Sequence, residues 1–415
     1  MKYLRRSLRV LVIGVVAIFA LLWIGTAAIR YPNPISAARL GLAMPSATVK
    51  LLPANAIKAT RPLALADGPK DAMPSTVRWS NQQIDIPSAT NTAAKPTEKT
   101  LSEFLSSTKT NAFLVVRNGK ITYEWYGKGF SKDSLLPSYS VAKSVVGILA
   151  GQAIAAGKLK ESDTFVSFFP EFKTGTDFDK VTLRDLLDMK GGVGVADDYP
   201  TGPSGWLVPI ARMYATTDLM YFIKGHRSMF YPPGTKAEYR SVDAQLAGMM
   251  VRKAMGMSLA DMMQEKVFPQ IGAEHDGSWS ADHKGGIEKS FCCMNLTARD
   301  YAKLGMLFVN GGKGPNGQVI DPTWFKRLTV PSVRNFGDNK WGYGAFVWHP
   351  TDRTSFFTGL NGQYVLANPA TKTVIVKLSD DTVGGVTMQT YNVMWQLATI
   401  GLIQDINTQV DVAAP

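Results

Sequence analysis

With 415 residues and 45% hydrophobic side chains, the chain can bury a large core, in two domains or in one domain with a sizeable insertion, which excludes a disordered protein or a membrane bundle. The net charge of +12 (45 Lys+Arg, 33 Asp+Glu) is spread along the chain, without an arginine-rich tract or zinc-finger spacing, so nucleic acid is not an expected partner. The four histidines, His226, His275, His283 and His349, lack metal-ligand spacing, so no metal is expected; the adjacent Cys292 and Cys293 read as small buried thiols, because bonding neighbours closes a strained ring.

Lys2, Arg5, Arg6 and Arg9 precede an uncharged run from Val10 to Ile29, closed by Arg30. At a rise of about 1.5 Å per residue, that run matches a hydrocarbon core of roughly 30 Å. The cations stay on the cytoplasmic side, which places everything after Arg30 in the periplasm or outside the cell. The run is longer than a usual signal core, so residues 1–30 are expected to be a retained single-pass anchor of the inner membrane. The alternative is a signal peptide cleaved near Thr26-Ala27-Ala28, leaving a secreted or periplasmic protein.

Residues 31–100, rich in Pro, Ala, Ser, Thr and Lys, read as a stalk packed loosely on the body, and the compact domain is expected over 101–415. Asn118-Gly119 between 112–117 and 120–125 predicts a two-residue hairpin. Helical patterns follow at Val181 to Met189, Thr217 to Ile223, Val242 to Met255 and Thr297 to Val309. Strand character returns at Gly344 to Trp348, Tyr364 to Ala367 and Thr373 to Leu378, before a helix from about Val386 to Ile403. Strands at both ends with helices between imply one sheet built from both termini, carrying a helical lobe at about 150–335.

Three segments carry chemistry. Ser140-Val141-Ala142-Lys143 opens an apolar helical run, which puts an amine on the same face as the hydroxyl and within its reach, an arrangement that activates a serine without histidine. A capping serine beside a solvated lysine is the plainer reading, and Ser106-Ser107-Thr108-Lys109 repeats the spacing in a short polar helix. Tyr239-Arg240-Ser241 offers a phenol to relay a proton and a hydroxyl to hold the lysine, or else a turn tyrosine with a capping serine. In Phe357-Thr358-Gly359-Leu360, glycine lets substrate lie close to backbone, and an N–H there with that of Ser140 forms an oxyanion hole; a simple bulge is the alternative.

In this order, at gaps of 99 and 118 residues, the three elements resemble the serine β-lactamase and penicillin-binding-protein superfamily, above all its class C-like esterases and 6-aminohexanoate-dimer hydrolases. Thr182 through Gly192, Asn295 through Gly305 and Trp341-Gly342-Tyr343-Gly344 support the resemblance, which covers about 101–405. It implies an α/β (α+β type) fold, an antiparallel sheet flanked by helices with an inserted all-helical lobe. It also implies Ser140 as acyl-forming nucleophile, Lys143 as proton acceptor, Tyr239 as proton relay, and the backbone N–H groups of Ser140 and Leu360 as oxyanion hole, with no cofactor. Whether Lys143 or Tyr239 is the immediate base stays open. Ser241, Tyr199, Phe357, Thr358, Gly359 and Trp341 are candidate substrate contacts. Penicillin-directed members place a cation where Phe357 stands, so the expected reaction is hydrolysis of a small ester or amide. The alternatives are a peptidoglycan-directed peptidase or β-lactamase, and a ligand-acylated sensor with little turnover.

Overall fold

The computed structural model describes residues 2–70, 73–79, 97–199, 205, 208–382 and 387–406. Lys2–Ala28 (α1) is one helix whose side chains from Leu11 to Ile24, including Leu11, Ile13 and Leu21, are exposed rather than packed on the body.

The centre of the molecule is an eight-stranded antiparallel sheet. Thr110–Arg117 (β1) and Lys120–Tyr126 (β2) come from the N-terminal side. Val333–Phe336 (β3), Trp341–Gly344 (β4), Val347–His349 (β5), Ser355–Gly359 (β6), Gln363–Asn368 (β7) and Thr373–Ser379 (β8) come from the C-terminal side. Their spatial order is β3-β4-β5-β6-β7-β8-β1-β2, so both ends of the domain meet where β8 pairs with β1. The turn at Asn118 (φ 49) and Gly119 (φ 77) has both central residues left-handed, as a two-residue hairpin requires.

Both faces of the sheet are covered, which explains the nearly continuous apolar strands. Leu114, Val116, Val365 and Val376 face one cluster; Phe113, Val115, Leu366 and Ile375 alternate to the other, beneath Thr387–Ile406, where Tyr391 and Met394 pack. On the first face lie Val141–Ala155 (α2), Ser241–Met255 (α3) and Ala298–Val309 (α4). Helix α2 is buried on every side from Val141 to Gly151, so it has no solvent-facing polar stripe, and its two polar members there, Lys143 and Ser144, are buried with the rest. Its glycines set the packing distance. A Cβ on Gly147 would lie 2.4 Å from the Ala345 carbonyl oxygen, and Trp324 covers Gly151 while its indole N–H donates to the Gly147 carbonyl at 2.9 Å.

Four expectations change. The run expected as one strand at Gly344 to Trp348 is broken by a turn at Ala345 (φ 48) and Phe346 (φ 65), where no glycine advertises a left-handed backbone; the turn is held by Ser144 Oγ donating to the Phe346 carbonyl at 2.7 Å. Part of the expected stalk is built into the body: Ala54–Ile57 pairs with Gly277–Ser280, Ile57 is fully buried, and Ser46 donates through N and Oγ to Asp380 at 2.7 and 2.6 Å. The lobe is not purely helical, because Gly277–Ser280 and Met294–Leu296 join Ala54–Ile57 and Leu136–Pro137 in a four-stranded sheet. Cys292 and Cys293 are bonded to each other rather than free, with Cys293 in the left-handed region (φ 69).

Because the Ala345 carbonyl leaves no room for a side chain, Gly147→Ala is expected to destabilise the domain by about 1–3 kcal/mol. Chemical denaturation checks this; an unchanged midpoint would show that α2 and the β4–β5 turn can move apart freely.

Candidate active site

Ser140 sits at the N-terminus of α2, after an elbow at Tyr139 whose φ is +42. An uncommon backbone persists only where the surroundings hold it. Here Ser138 N donates to the Met294 carbonyl at 2.7 Å, Met294 N donates to Ser138 Oγ at 3.0 Å, and the Tyr139 phenol is buried beside Thr48, Tyr214 and Asn361. Thr48 belongs to the N-terminal segment, so the region expected as a stalk packs against the elbow.

One turn along α2, Lys143 is 1% exposed and its Nζ lies 2.7 Å from Ser140 Oγ, while it donates to the Phe291 carbonyl at 2.9 Å. Burial pushes its amine down to about 7, opposed in part by the charge of Asp197. The Tyr239 phenol lies beside Ser140, and burial first, then the Asp197 charge, raises it well above its ordinary value. The Tyr239 ring lies 4.8 Å from Lys143 Nζ and stacks on Trp348 at 5.7 Å. Serine, lysine and tyrosine therefore converge on one hydroxyl. The amine donates one hydrogen to Phe291; when neutral it keeps a lone pair for the serine proton. The raising of the Tyr239 phenol favours its protonated form, which can donate.

The end of β6 closes the other side. A Cβ on Gly359 would lie 2.5 Å from the Ser138 carbonyl oxygen and 3.2 Å from the Ser140 nitrogen, so only glycine lets the strand come this close. Ser140, Tyr239, Thr358, Gly359, Leu360, Tyr199 and the edge of Trp341 line a cavity of about 760 Å³. A larger groove of about 1000 Å³ lies by Asn55, Arg252 and Lys284, and its lining includes none of Ser140, Lys143 or Tyr239.

Two expected contacts lie elsewhere. Phe357 is 2% exposed and packs edge-on against Phe308 at 4.8 Å, because strand alternation turns it into the core while its neighbour Thr358 faces the cavity. Ser241 does not reach the lysine; its N and Oγ both donate to Asp197 at 2.6 Å. Tyr199 is 54% exposed, and its phenol donates to Asp197 at 3.2 Å. Asp197 thus ties the loop over the site to α3. Neither it nor the Phe291 carbonyl was singled out, since an acid in a polar loop and a backbone oxygen carry no sequence signal. The cavity lining has three carboxylates, Asp197, Glu238 and Asp338, and no lysine or arginine among the described residues. Lys236 and Arg240 pair with Glu238 at 2.6 and 2.7 Å.

Because the Asp197 charge raises the Lys143 amine, Asp197→Asn is expected to lower it further. A base works only when deprotonated, so the acidic limb of the pH profile for acylation should move to lower pH. Rates of fluorophosphonate labelling across pH test this; a limb moved upward, or fixed, would remove Asp197 from the lysine's electrostatics.

The beta-lactamase family model matches residues 97–393. A 6-aminohexanoate-dimer hydrolase from Paenarthrobacter ureafaciens is 26% identical over 300 residues, covering 67% of this chain and 74% of the relative. A beta-lactamase from Pseudomonas fluorescens is 27% identical over 168 residues, 39% of this chain and 43% of the relative. Among solved structures, a Bacillus anthracis protein described as a candidate 6-aminohexanoate-dimer hydrolase superposes with a TM-score of 0.74 at 20% identity, over 90% of this chain and 96% of its own. A family VIII carboxylesterase superposes with a TM-score of 0.56 at 16% identity, over 71% of this chain and 94% of its own. At these identities the solved structures speak for the fold.

Proposed function

The chain belongs to the beta-lactamase family of serine hydrolases, and on that footing we propose that it is a membrane-anchored enzyme cleaving a small ester or amide through an acyl-enzyme on Ser140. The observation that carries the mechanism is the buried Lys143 amine 2.7 Å from the Ser140 hydroxyl. In this reading neutral Lys143 takes the Ser140 proton as Oγ attacks the carbonyl carbon, and the developing oxyanion is held by the Ser140 and Leu360 N–H groups. Tyr239 passes its proton to the leaving oxygen or nitrogen and is reprotonated from Lys143. Water then attacks the acyl carbon by the reverse route, releasing the acid and restoring the serine.

Substrate preference follows from the cavity lining rather than from Phe357. A cavity with carboxylates and no cation favours neutral or cationic substrates over carboxylate-bearing β-lactams, because a substrate carboxylate would be desolvated without a charge-assisted partner. The aromatic walls at Trp341 and Trp348 suit an apolar acyl group. The 6-aminohexanoate-dimer hydrolase relative, an amide hydrolase by its name, supports this reading over a peptidoglycan-directed one.

The test is intact-mass analysis after a fluorophosphonate, joined to kcat/KM for a short nitrophenyl ester and a chromogenic cephalosporin. One adduct is expected in the parent and none in Ser140→Ala, with the ester preferred. An adduct persisting in Ser140→Ala would overturn the nucleophile; equal efficiency on the cephalosporin would overturn the preference.

For the anchor, the supporting observation is that Leu11–Ala28 is long and apolar enough to cross a bilayer, with none of that window buried in the body. Membrane fractionation and N-terminal sequencing should find the protein in the membrane with residues 1–30 retained. A soluble mature form beginning near Ile29 would overturn the anchor while leaving the hydrolase reading untouched.

A further inference from the structure

Where α1 meets the body, the chain does not hang from a flexible tether. The Arg30 carbonyl accepts from Thr217 N at 2.9 Å, Thr216 Oγ1 at 3.0 Å and Thr217 Oγ1 at 3.1 Å, and the Arg30 guanidinium lies 5.9 Å from the Tyr221 ring centre. The helix end is therefore fixed against Leu219–Lys224. The joint leaves a cavity of about 460 Å³ lined by Ile29, Tyr31, Arg212, Lys224 and Arg227, with no carboxylate in its lining among the described residues.

Its cations are not spent on acids. Among the described residues no carboxylate lies within 4.0 Å of Arg212, Lys224 or Arg227. Arg227 donates to the Lys224 and Phe172 carbonyls at 2.8 and 3.2 Å, while the half-buried Arg212 guanidinium makes no hydrogen bond among the described residues. A desolvated guanidinium without a partner is costly, and an anion relieves that cost. Next to this cavity, Pro34–Leu42 and the residue that follows its cap present Ile35 (48% exposed), Leu42 (81%) and Met44 (45%) outward, beside Arg39.

We infer that this cavity binds the phosphate headgroup of an anionic phospholipid. The inference rests on the anchored reading, in which the apolar span ends at Ala28 and the cavity opens at headgroup depth. Ile29 and Tyr31 would meet the acyl-chain boundary and Arg212, Lys224 and Arg227 the phosphodiester. The exposed apolar side chains of Pro34–Leu42 and Met44 would rest on the same leaflet. The bound lipid would then fix the height and orientation of the body above the bilayer.

The test uses the full chain, extracted from membranes and loaded with phosphatidylglycerol or phosphatidylcholine of identical acyl chains, or with inorganic phosphate, and read by native mass spectrometry. The parent is expected to retain one phosphatidylglycerol in preference to phosphatidylcholine, and Arg212→Gln with Lys224→Gln to lose about 10-fold or more of that retention. Among the described residues neither side chain donates a hydrogen bond that the fold would miss, and unchanged nitrophenyl ester hydrolysis by the variant shows that it is folded. Equal retention in parent and variant, equal retention of both lipids, or an equal preference for inorganic phosphate would overturn the proposal. N-terminal sequencing of the same sample separates these from failure of the anchor: a chain starting at Met1 keeps the anchor whatever the lipid result.

Discussion

A lysine amine enclosed by apolar packing, 2.7 Å from a serine hydroxyl, is the constraint around which this molecule is arranged. An exposed lysine is protonated and cannot accept a proton; enclosure favours the neutral amine. The enclosure is a product of the whole core. Helix α2 is buried all round, its glycines bring Trp324 and the β4–β5 turn onto it, and β6 ends on Gly359 against Ser140. Asp197 works the other way, adding a negative charge that keeps the amine from falling further. The balance places it near neutral pH, where a general base operates best.

The polar contacts around the site are divided so that none competes for the serine. Phe291 occupies one amine hydrogen, Ser241 and Tyr199 occupy Asp197, and the Tyr139 phenol is turned away beside Thr48, Tyr214 and Asn361. In the proposed mechanism Ser140 Oγ stands between an acceptor and a donor, which is what formation and breakdown of an acyl-enzyme require in turn. The same N-terminal segment that supplies Thr48 leads back to the apolar helix Lys2–Ala28, so in the anchored reading the span and the surroundings of the elbow are linked by ordered chain.

Much of this was legible in the sequence because it rests on local patterns. Ser140 and Lys143 are set by helical spacing, the hairpin by Asn118-Gly119, and the strands of the central sheet by their apolar runs. What escaped depends on tertiary context. Ala345 and Phe346 adopt left-handed backbone because α2 holds them there, not because of their own preferences. Phe357 was placed in the site by its position in a motif, yet one step of strand alternation sends it into the core. Asp197 lies 44 residues from Ser241, and only the folded chain brings the two together. Residues 45–57 lack strong periodicity and are ordered by pairing with a distant strand and by Asp380.

The central claim is that Lys143 is a neutral base at working pH, and the most direct measurement is an NMR titration of its side chain in the full-length protein labelled at the lysine ε-carbons, assigned with Lys143→Arg. The resonance should titrate at about 7. A Lys143 that stays charged until near the ordinary lysine value of about 10.4 would contradict the account.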